Sequence, residues 1–307
     1  MSSPPSHFTP TKWRFEDRPC PICGSRDARL LGRRGGTAHR EEKGVETGIV
    51  RCRRCHGVYQ RPTLLPESNP YDWDPVEHYF QLHDSSRKVE AGEKLAAYAE
   101  SVIGRPGRML ELGCGRGELL RGAANRGWQV LGIEMTKGFA EVACERHRIE
   151  VESAPIAEAQ ALSRTYDVVL LAAILEHLYD PIQTLDRVRA ALNRGGLIFI
   201  DVPNECSLMT IVGNLYLRLR RTDWAMNLSP SFSPFHVVGF CPRSLRHLLG
   251  STGFSIRSLQ LHRWNNAMPP AAGLRGHVER MALDGVLTAG QLMGRGAGIT
   301  CWATRGD

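Results

Sequence analysis

Met109-Leu-Glu111-Leu-Gly113-Cys-Gly115-Arg-Gly117-Glu-Leu-Leu is the stretch on which the reading of the fold turns. An apolar run ends in three glycines at alternate positions, and a helical pattern starts directly after them. Glycine permits positive φ and removes side chains where a ligand must approach the backbone closely. In open α/β sheets the turn after the first parallel strand is where nucleotides bind. A dinucleotide turn, G-x-G-x-x-G, needs glycine at position 118, where this chain has Glu, and no P-loop lysine follows. The turn therefore favours a cofactor without a pyrophosphate, with Glu111 placed to face an ammonium group.

Beyond the turn, Gln129-Val-Leu-Gly-Ile-Glu134-Met135 reads as a second strand ending in an acid, 21 residues after Gly113. A carboxylate there accepts hydrogen bonds from ribose hydroxyls, and Met135 is placed to pack on adenine. From Arg108 onward strand and helix patterns alternate, which predicts a parallel sheet with helices on its faces. Strands are predicted at 108–112, 129–134, 149–152, 166–172, 197–202, 254–262 and 298–304. Helices are predicted at 86–102, 117–126, 137–147, 181–192, 243–250 and 274–293. A long insert, 204–240, follows the fifth strand. Within it 208–224 reads as an apolar helix ending in Arg218, Arg220 and Arg221, a lid that clamps phosphate, a membrane-surface contact, or a packed cap.

The N-terminal part carries different chemistry. Cys20-Pro-Ile-Cys23-Gly24 and Cys52-Arg-Arg-Cys55-His56-Gly57 are two CxxC pairs separated by 28 residues. Two such knuckles complete a tetrahedral S₄ shell, the closed arrangement of structural zinc. Gly35, Gly36, Gly44 and Gly48 predict a hairpin or loop between them. Cys52 to His56 also matches the CxxCH string of haem attachment, but that chemistry needs export, and residues 1–10 lack an apolar leader. A redox CxxC leaves the second pair unexplained. The expected organisation is a disordered lead and zinc module over 1–64 and a linker with helices packing on the core over 65–102. A cofactor-binding domain over 103–307 follows, with 204–240 as substrate cap.

With 42% hydrophobic and 23% charged residues the chain reads as a globular cytoplasmic protein. No apolar run is long enough to span a bilayer. The formal charge is +7, and four thiolates with one Zn²⁺ change this to 7 − 4 + 2 = +5. That surplus suits an anionic partner.

The glycine turn and the acid after the second strand resemble the class I S-adenosylmethionine (SAM)-dependent methyltransferases, over about 103–305. The resemblance implies a Rossmann-like seven-stranded α/β sheet. It implies that Glu111, Gly113, Gly115 and Gly117 hold the methionine part of SAM and that Glu134 holds its ribose. The family's fourth-strand motif maps onto Tyr166-Asp167-Val-Val-Leu-Leu-Ala172, ending at the cofactor, followed by Leu175-Glu176-His177. The fifth-strand motif maps onto Gly195-Gly-Leu-Ile-Phe-Ile-Asp201. The adenine-contacting Asp that many members carry after the third strand has no equivalent in Glu152-Ser153-Ala154.

Methylating an alcohol requires a base, and imidazole suits that role. His177 and His236, the latter in Ser233-Pro-Phe-His236, are the candidates, each weighed against a purely structural role. The layout also resembles sugar and glycan methyltransferases with an N-terminal CxxC…CxxC module. Phe235-His236 lacks the adjacent acid of the C-methylating members, which favours O-methylation of a sugar, a glycan or a small metabolite. Two rivals remain. One is an RNA methyltransferase docking through Arg51, Arg53 and Arg54, although the Asn/Asp-Pro-Pro-aromatic motif is missing. The other is a non-catalytic SAM- or zinc-dependent interaction protein.

Overall fold

The computed structural model describes residues 12–68, 85–264 and 273–306. The chain opens with β1 (Trp13–Glu16), β2 (Ala28–Arg34), β3 (Thr47–Cys52), β4 (Val58–Arg61) and β5 (Thr63–Pro66). β1 pairs antiparallel with β5, with Trp13 opposite Pro66 and Glu16 opposite Thr63. Residues 13–16, expected within a disordered lead, are therefore a strand, because β5 offers them a free antiparallel edge. Residues 1–11 of that lead, and residues 69–84 of the linker, lie outside the described residues. β2 and β3 form the hairpin anticipated between the cysteine pairs, and β3 pairs with β4.

The helix α1 (Ser85–Ile103) leads into the larger layer. There follow β6 (Arg108–Leu112), α2 (Glu118–Asn125), β7 (Gln129–Ile133), α3 (Lys137–His147), β8 (Glu150–Glu152), β9 (Tyr166–Ala172), α4 (Pro181–Ala191) and β10 (Leu192–Pro203). α5 (Leu208–Leu219), β11 (Val238–Gly239), α6 (Pro242–Ser251), β12 (Phe254–His262), α7 (Gly273–Leu292) and β13 (Gly298–Arg305) complete the chain. The seven-stranded sheet has the order β12-β13-β10-β9-β6-β7-β8. Its five strands from β10 to β8 run parallel, and β13 is antiparallel to both β10 and β12. β10 is longer than the predicted 197–202, and its pairing with β9 shifts between Leu192 and Leu197, at Gly195-Gly196.

Alternation along the strands sends side chains into two cores. Met109, Val168, Leu170 and Phe199 face one side with Trp128 and Trp302, while Leu110, Leu112, Val169 and Leu171 face the other. Both faces are covered, so β9 is almost continuously buried and apolar, as parallel sheets require. α1 crosses α2 at Gly92 and Gly122, where a Cβ on Gly92 would stand 2.1 Å from the Leu119 carbonyl oxygen. The second core continues through Ile22, Cys20, Cys52, Cys55 and Tyr59, so the cysteine-bearing strands share one apolar interior with the large sheet.

The segment after β10 leaves and returns at one point. Asn204 bridges Phe240, and the Glu205 amide donates to the Phe240 carbonyl at 2.8 Å. β11, at the end of this segment, adds to β4, giving a four-stranded sheet of order β11-β4-β3-β2. The smaller sheet is thus built from two distant stretches of the sequence.

Candidate active site

The glycine turn between β6 and α2 holds Gly113, Gly115 and Gly117 at φ of 65°, 53° and 77°. Gly113 has a second reason to be glycine, since a Cβ there would stand 2.6 Å from Cδ1 of Ile174. At Gly115 a Cβ would meet open space, so the backbone of the turn is uncovered there. Glu134, just past β7, is 7% exposed and accepts the amides of Gly115 at 2.9 Å and Thr136 at 2.8 Å. Burial raises its carboxyl above the usual range, and those two amides oppose the shift.

Glu111 lies within β6 and is buried, and its Oε2 has no hydrogen-bond partner among the described residues. Burial holds this carboxyl well above the ordinary range, opposed by the ammonium of Lys88 from α1. Arg116 and Glu118 form a buried ion pair at 2.6 Å in the same turn. An orphaned buried carboxylate beside an open glycine backbone fits a ligand that carries an ammonium group. Met135 is 42% exposed at the rim, and Ala172 ends β9 opposite Asp201 of β10. Glu152 at the end of β8 accepts the amides of Gln160 and Ala161 at 2.7 and 2.6 Å, so it caps a 3-10 turn.

Ile174, which touches the glycine turn, begins the next feature. A single 3-10 turn, Leu175–His177, follows β9 and carries Glu176 and His177. The chain enters it through Ala173 at φ 54°, a conformation uncommon for a residue with a side chain. His236 comes from the far end of the insert, after Phe235 at φ 60°. The three side chains converge. His236 Nε2 lies 3.9 Å and His177 Nε2 4.0 Å from Glu176 Oε1, and the two rings meet edge to face at 4.9 Å. The Val237 amide donates to the Glu176 carbonyl at 2.9 Å, tying the two segments together. Glu176 is 2% exposed, and burial pushes its carboxyl up to about 8. Burial also pushes His177 down to about 4 and His236 down to about 3, so both imidazoles are held neutral. Sequence reasoning singled out both histidines and missed Glu176 as the acid between them, because that acid is adjacent to His236 only in space.

The four thiols of Cys20, Cys23, Cys52 and Cys55 also converge, with all sulfurs within 4.8 Å of one another. Cys20 faces Cys55 and Cys23 faces Cys52, each at 3.5 Å. A tetrahedral S₄ shell with Zn–S of about 2.3 Å spaces its sulfurs about 3.8 Å apart, so the donor set and its spacing fit zinc. In the first knuckle Gly24 takes the left-handed conformation; in the second His56 does so, at φ 68°, rather than the Gly57 beside it.

These strands hold the insert. Arg33 makes a bidentate pair with Asp223 at 2.6 and 2.9 Å, Arg34 donates to the Leu228 carbonyl, and the Val45 amide donates to Ser231 Oγ at 2.9 Å. Arg51 faces the Glu205 carbonyl and Arg53 pairs with Asp27 at 3.4 Å, so the anticipated phosphate cluster is split between the insert and a surface pair. A cavity of about 400 Å³ opens where the two parts meet, lined among others by Arg18, Tyr59, Tyr179, Asp180 and Val237. α5 buries none of its side chains fully. Ile211, Val212, Leu215, Tyr216 and Leu219 are exposed, as are Arg218, Arg220 and Arg221. No helix among the described residues is long and apolar enough to cross a membrane.

Residues 83–259, more than half of the chain, match the family model described as a methyltransferase domain. The chain is 30% identical over 161 residues to the ubiquinone biosynthesis O-methyltransferase of Aeromonas salmonicida, covering 50% of this chain and 64% of that enzyme. It is 27% identical over 209 residues to the enzyme of the same name from Leptothrix cholodnii, covering 64% of this chain and 86% of that one. The match to the Aeromonas enzyme thus falls short of two thirds of that relative's length. Among solved structures, the plantazolicin methyltransferase BpumL in complex with SAH superposes with a TM-score of 0.50 at 15% identity, covering 78% of this chain and 92% of that one. At that identity the likeness bears on the fold.

Proposed function

We propose, from the premise that this chain belongs to the methyltransferase-domain family, that it is a SAM-dependent O-methyltransferase acting on a hydroxyl of a small metabolite. The observation that carries this reading is the contact of Ile174 with Gly113, which sets the Glu176 turn directly against the glycine turn. Glu111, the backbone of Gly113 to Gly117, and Glu134 are the residues that hold SAM, with Met135 and Ala172 at its rim. When bound, SAM supplies a methyl group made electrophilic by its sulfonium. Glu176, His177 and His236 face the acceptor and orient its hydroxyl for the loss of its proton. The cavity between Tyr59, Tyr179 and Val237 has a volume in the range of small-molecule pockets, about 300–1,000 Å³, and lies beside His236 in the chain.

The relatives named above support oxygen as the methylated atom. A sugar or glycan hydroxyl presents the same chemistry and falls within this reading. Cys20, Cys23, Cys52 and Cys55 hold a structural zinc ion, which fastens the two knuckles rather than taking part in the reaction. The exposed apolar stripe of α5, with arginines at its end, favours an acceptor that is lipid-linked or approached from a membrane surface.

The test is to incubate the protein with methyl-labelled SAM and fractionated cell extract. Label in the small-metabolite or glycan fraction, lost in Glu134→Ala, is the expected result. Label in RNA, or absence of SAM binding by calorimetry, overturns the reading. Metal analysis of the purified protein should find zinc, and find it lost in a Cys20→Ser, Cys52→Ser variant.

A further inference from the structure

The Glu176 centre has a chemical oddity that a proton-transfer role leaves unexplained. Neither carboxylate oxygen of Glu176 is hydrogen-bonded to another residue among the described residues, although the side chain is only 2% exposed. A buried polar group without a partner is costly, and native structures rarely leave one. The groups that face it make the matter worse. The Nδ1 atom of His177 lies 3.3 Å from the Phe235 carbonyl, which can only accept, so Nδ1 carries the hydrogen. That tautomer turns the lone pair of His177 Nε2 toward Glu176, and His236 presents its own Nε2 to the same oxygen. His177 therefore offers Glu176 no donor.

A shared proton does not close these gaps, because 3.9 and 4.0 Å exceed any N–H···O or O–H···N bond. A cation does. With metal–ligand distances of about 2.0–2.2 Å, ligand atoms on one ion sit about 3–3.5 Å apart, which a small rotamer adjustment here would reach. One ligand atom from each of the three residues already lies within 4.8 Å of the others. The bond from Nδ1 to a backbone carbonyl is also how metal-binding histidines are commonly oriented.

We propose that Glu176, His177 and His236 bind a divalent first-row transition-metal ion, separate from the Cys₄ centre, whose open positions receive the acceptor hydroxyl. Two imidazoles and one carboxylate suit such an ion, whereas four thiolates suit zinc. The ion acts as a Lewis acid: it stabilises the alkoxide or phenoxide form of the acceptor, the O–H bond breaks with its electron pair left on oxygen, and the proton passes to solvent. This deepens the methyltransferase reading and rests on it, since it assigns the acceptor a hydroxyl that can ligate a metal.

Mn²⁺ serves as the probe, because it prefers oxygen and nitrogen donors and leaves a zinc-filled Cys₄ centre alone. The full-chain protein, purified with its zinc, is titrated with Mn²⁺ and free Mn²⁺ is read by electron paramagnetic resonance. SAM affinity is measured in parallel by calorimetry. Saturable binding to wild type, weakened more than about tenfold in both Glu176→Gln and His236→Ala, is the expected result. Glu176→Gln keeps the side-chain shape, and unchanged SAM affinity in each variant shows that the fold is intact. No saturable Mn²⁺ binding, or equal binding by wild type and Glu176→Gln, overturns the metal site while SAM binding upholds the methyltransferase reading. Loss of SAM binding by the wild type itself would instead remove that underlying reading.

Discussion

Tyr59 of β4 stands opposite Val238 of β11 in one antiparallel ladder. The strand that begins just after the second cysteine knuckle is thus hydrogen-bonded to the chain two residues beyond His236. Loss of the Cys₄ centre should consequently reach the acceptor side and spare the cofactor side. In Cys52→Ser, hydrogen exchange should accelerate over residues 28–61 and also over 223–240, while 108–134 stays protected. Acceptor kcat/KM should fall by at least about a hundredfold, the scale of a displaced catalytic group, with SAM affinity near wild type. Acceleration confined to the knuckles would separate the two regions.

Glu134 should dominate ribose recognition. Glu134→Ala removes a buried carboxylate whose charge-assisted bonds are each worth about 1.5–3 kcal/mol, so SAM affinity should drop about 10- to 150-fold. Glu134→Gln should lose less, since one acceptor oxygen remains. Isothermal calorimetry distinguishes the two.

The crossing of α1 and α2 tolerates no side chain at Gly92, where the nearest backbone oxygen would be 2.1 Å from a Cβ. Gly92→Ala should destabilise the protein by about 1–3 kcal/mol, the usual cost of overpacking, read by urea unfolding. SAM affinity should also weaken, because Lys88 on the same helix faces Glu111.

His262 donates from Nε2 to Asp201 at 2.8 Å. Burial disfavours its charge, but the bond and charge of Asp201 prevail and raise its pKa above the ordinary 6.5. A histidine with a raised pKa in the folded state contributes stability that is fully present below the unfolded value. That contribution is lost as pH rises through the folded value. Wild type should therefore lose stability relative to His262→Gln on going from mildly acidic to mildly alkaline pH, as urea titrations at each pH would report.

On α5, Leu215 and Leu219 are 53% and 75% exposed. If the acceptor is approached from a bilayer, flotation with anionic vesicles should capture the protein. Leu219→Glu should then weaken that binding by about tenfold, the scale of one lost leucine contact. Absence of wild-type flotation disposes of the membrane approach.

The glycine turn, Glu134 and the strand and helix pattern from Arg108 were legible because each is local: period, glycine spacing and a strand-end acid lie within a few dozen residues. The cysteine pairs were legible because CxxC geometry is itself local. What escaped notice depends on long-range pairing. Glu176 meets His236 across 60 positions, Lys88 meets Glu111 from a helix before the sheet, and Arg51 turns toward Glu205 rather than solvent. The strand at Trp13–Glu16 exists because β5 receives it, and a four-residue run carries too little pattern to show that alone.

The bridge between Asn204 and Phe240 means that the intervening chain enters and exits the large sheet through one doorway. A segment attached in that way can change length or composition without altering strand order, so on the proposed function acceptor choice can be altered there while the cofactor turn stays as it is. The β2–β3 hairpin grips that same segment through Arg33, Arg34 and Val45. Hairpin and insert therefore form one structural unit drawn from two stretches of the chain, and on the proposed function a graft meant to transplant acceptor preference must carry both.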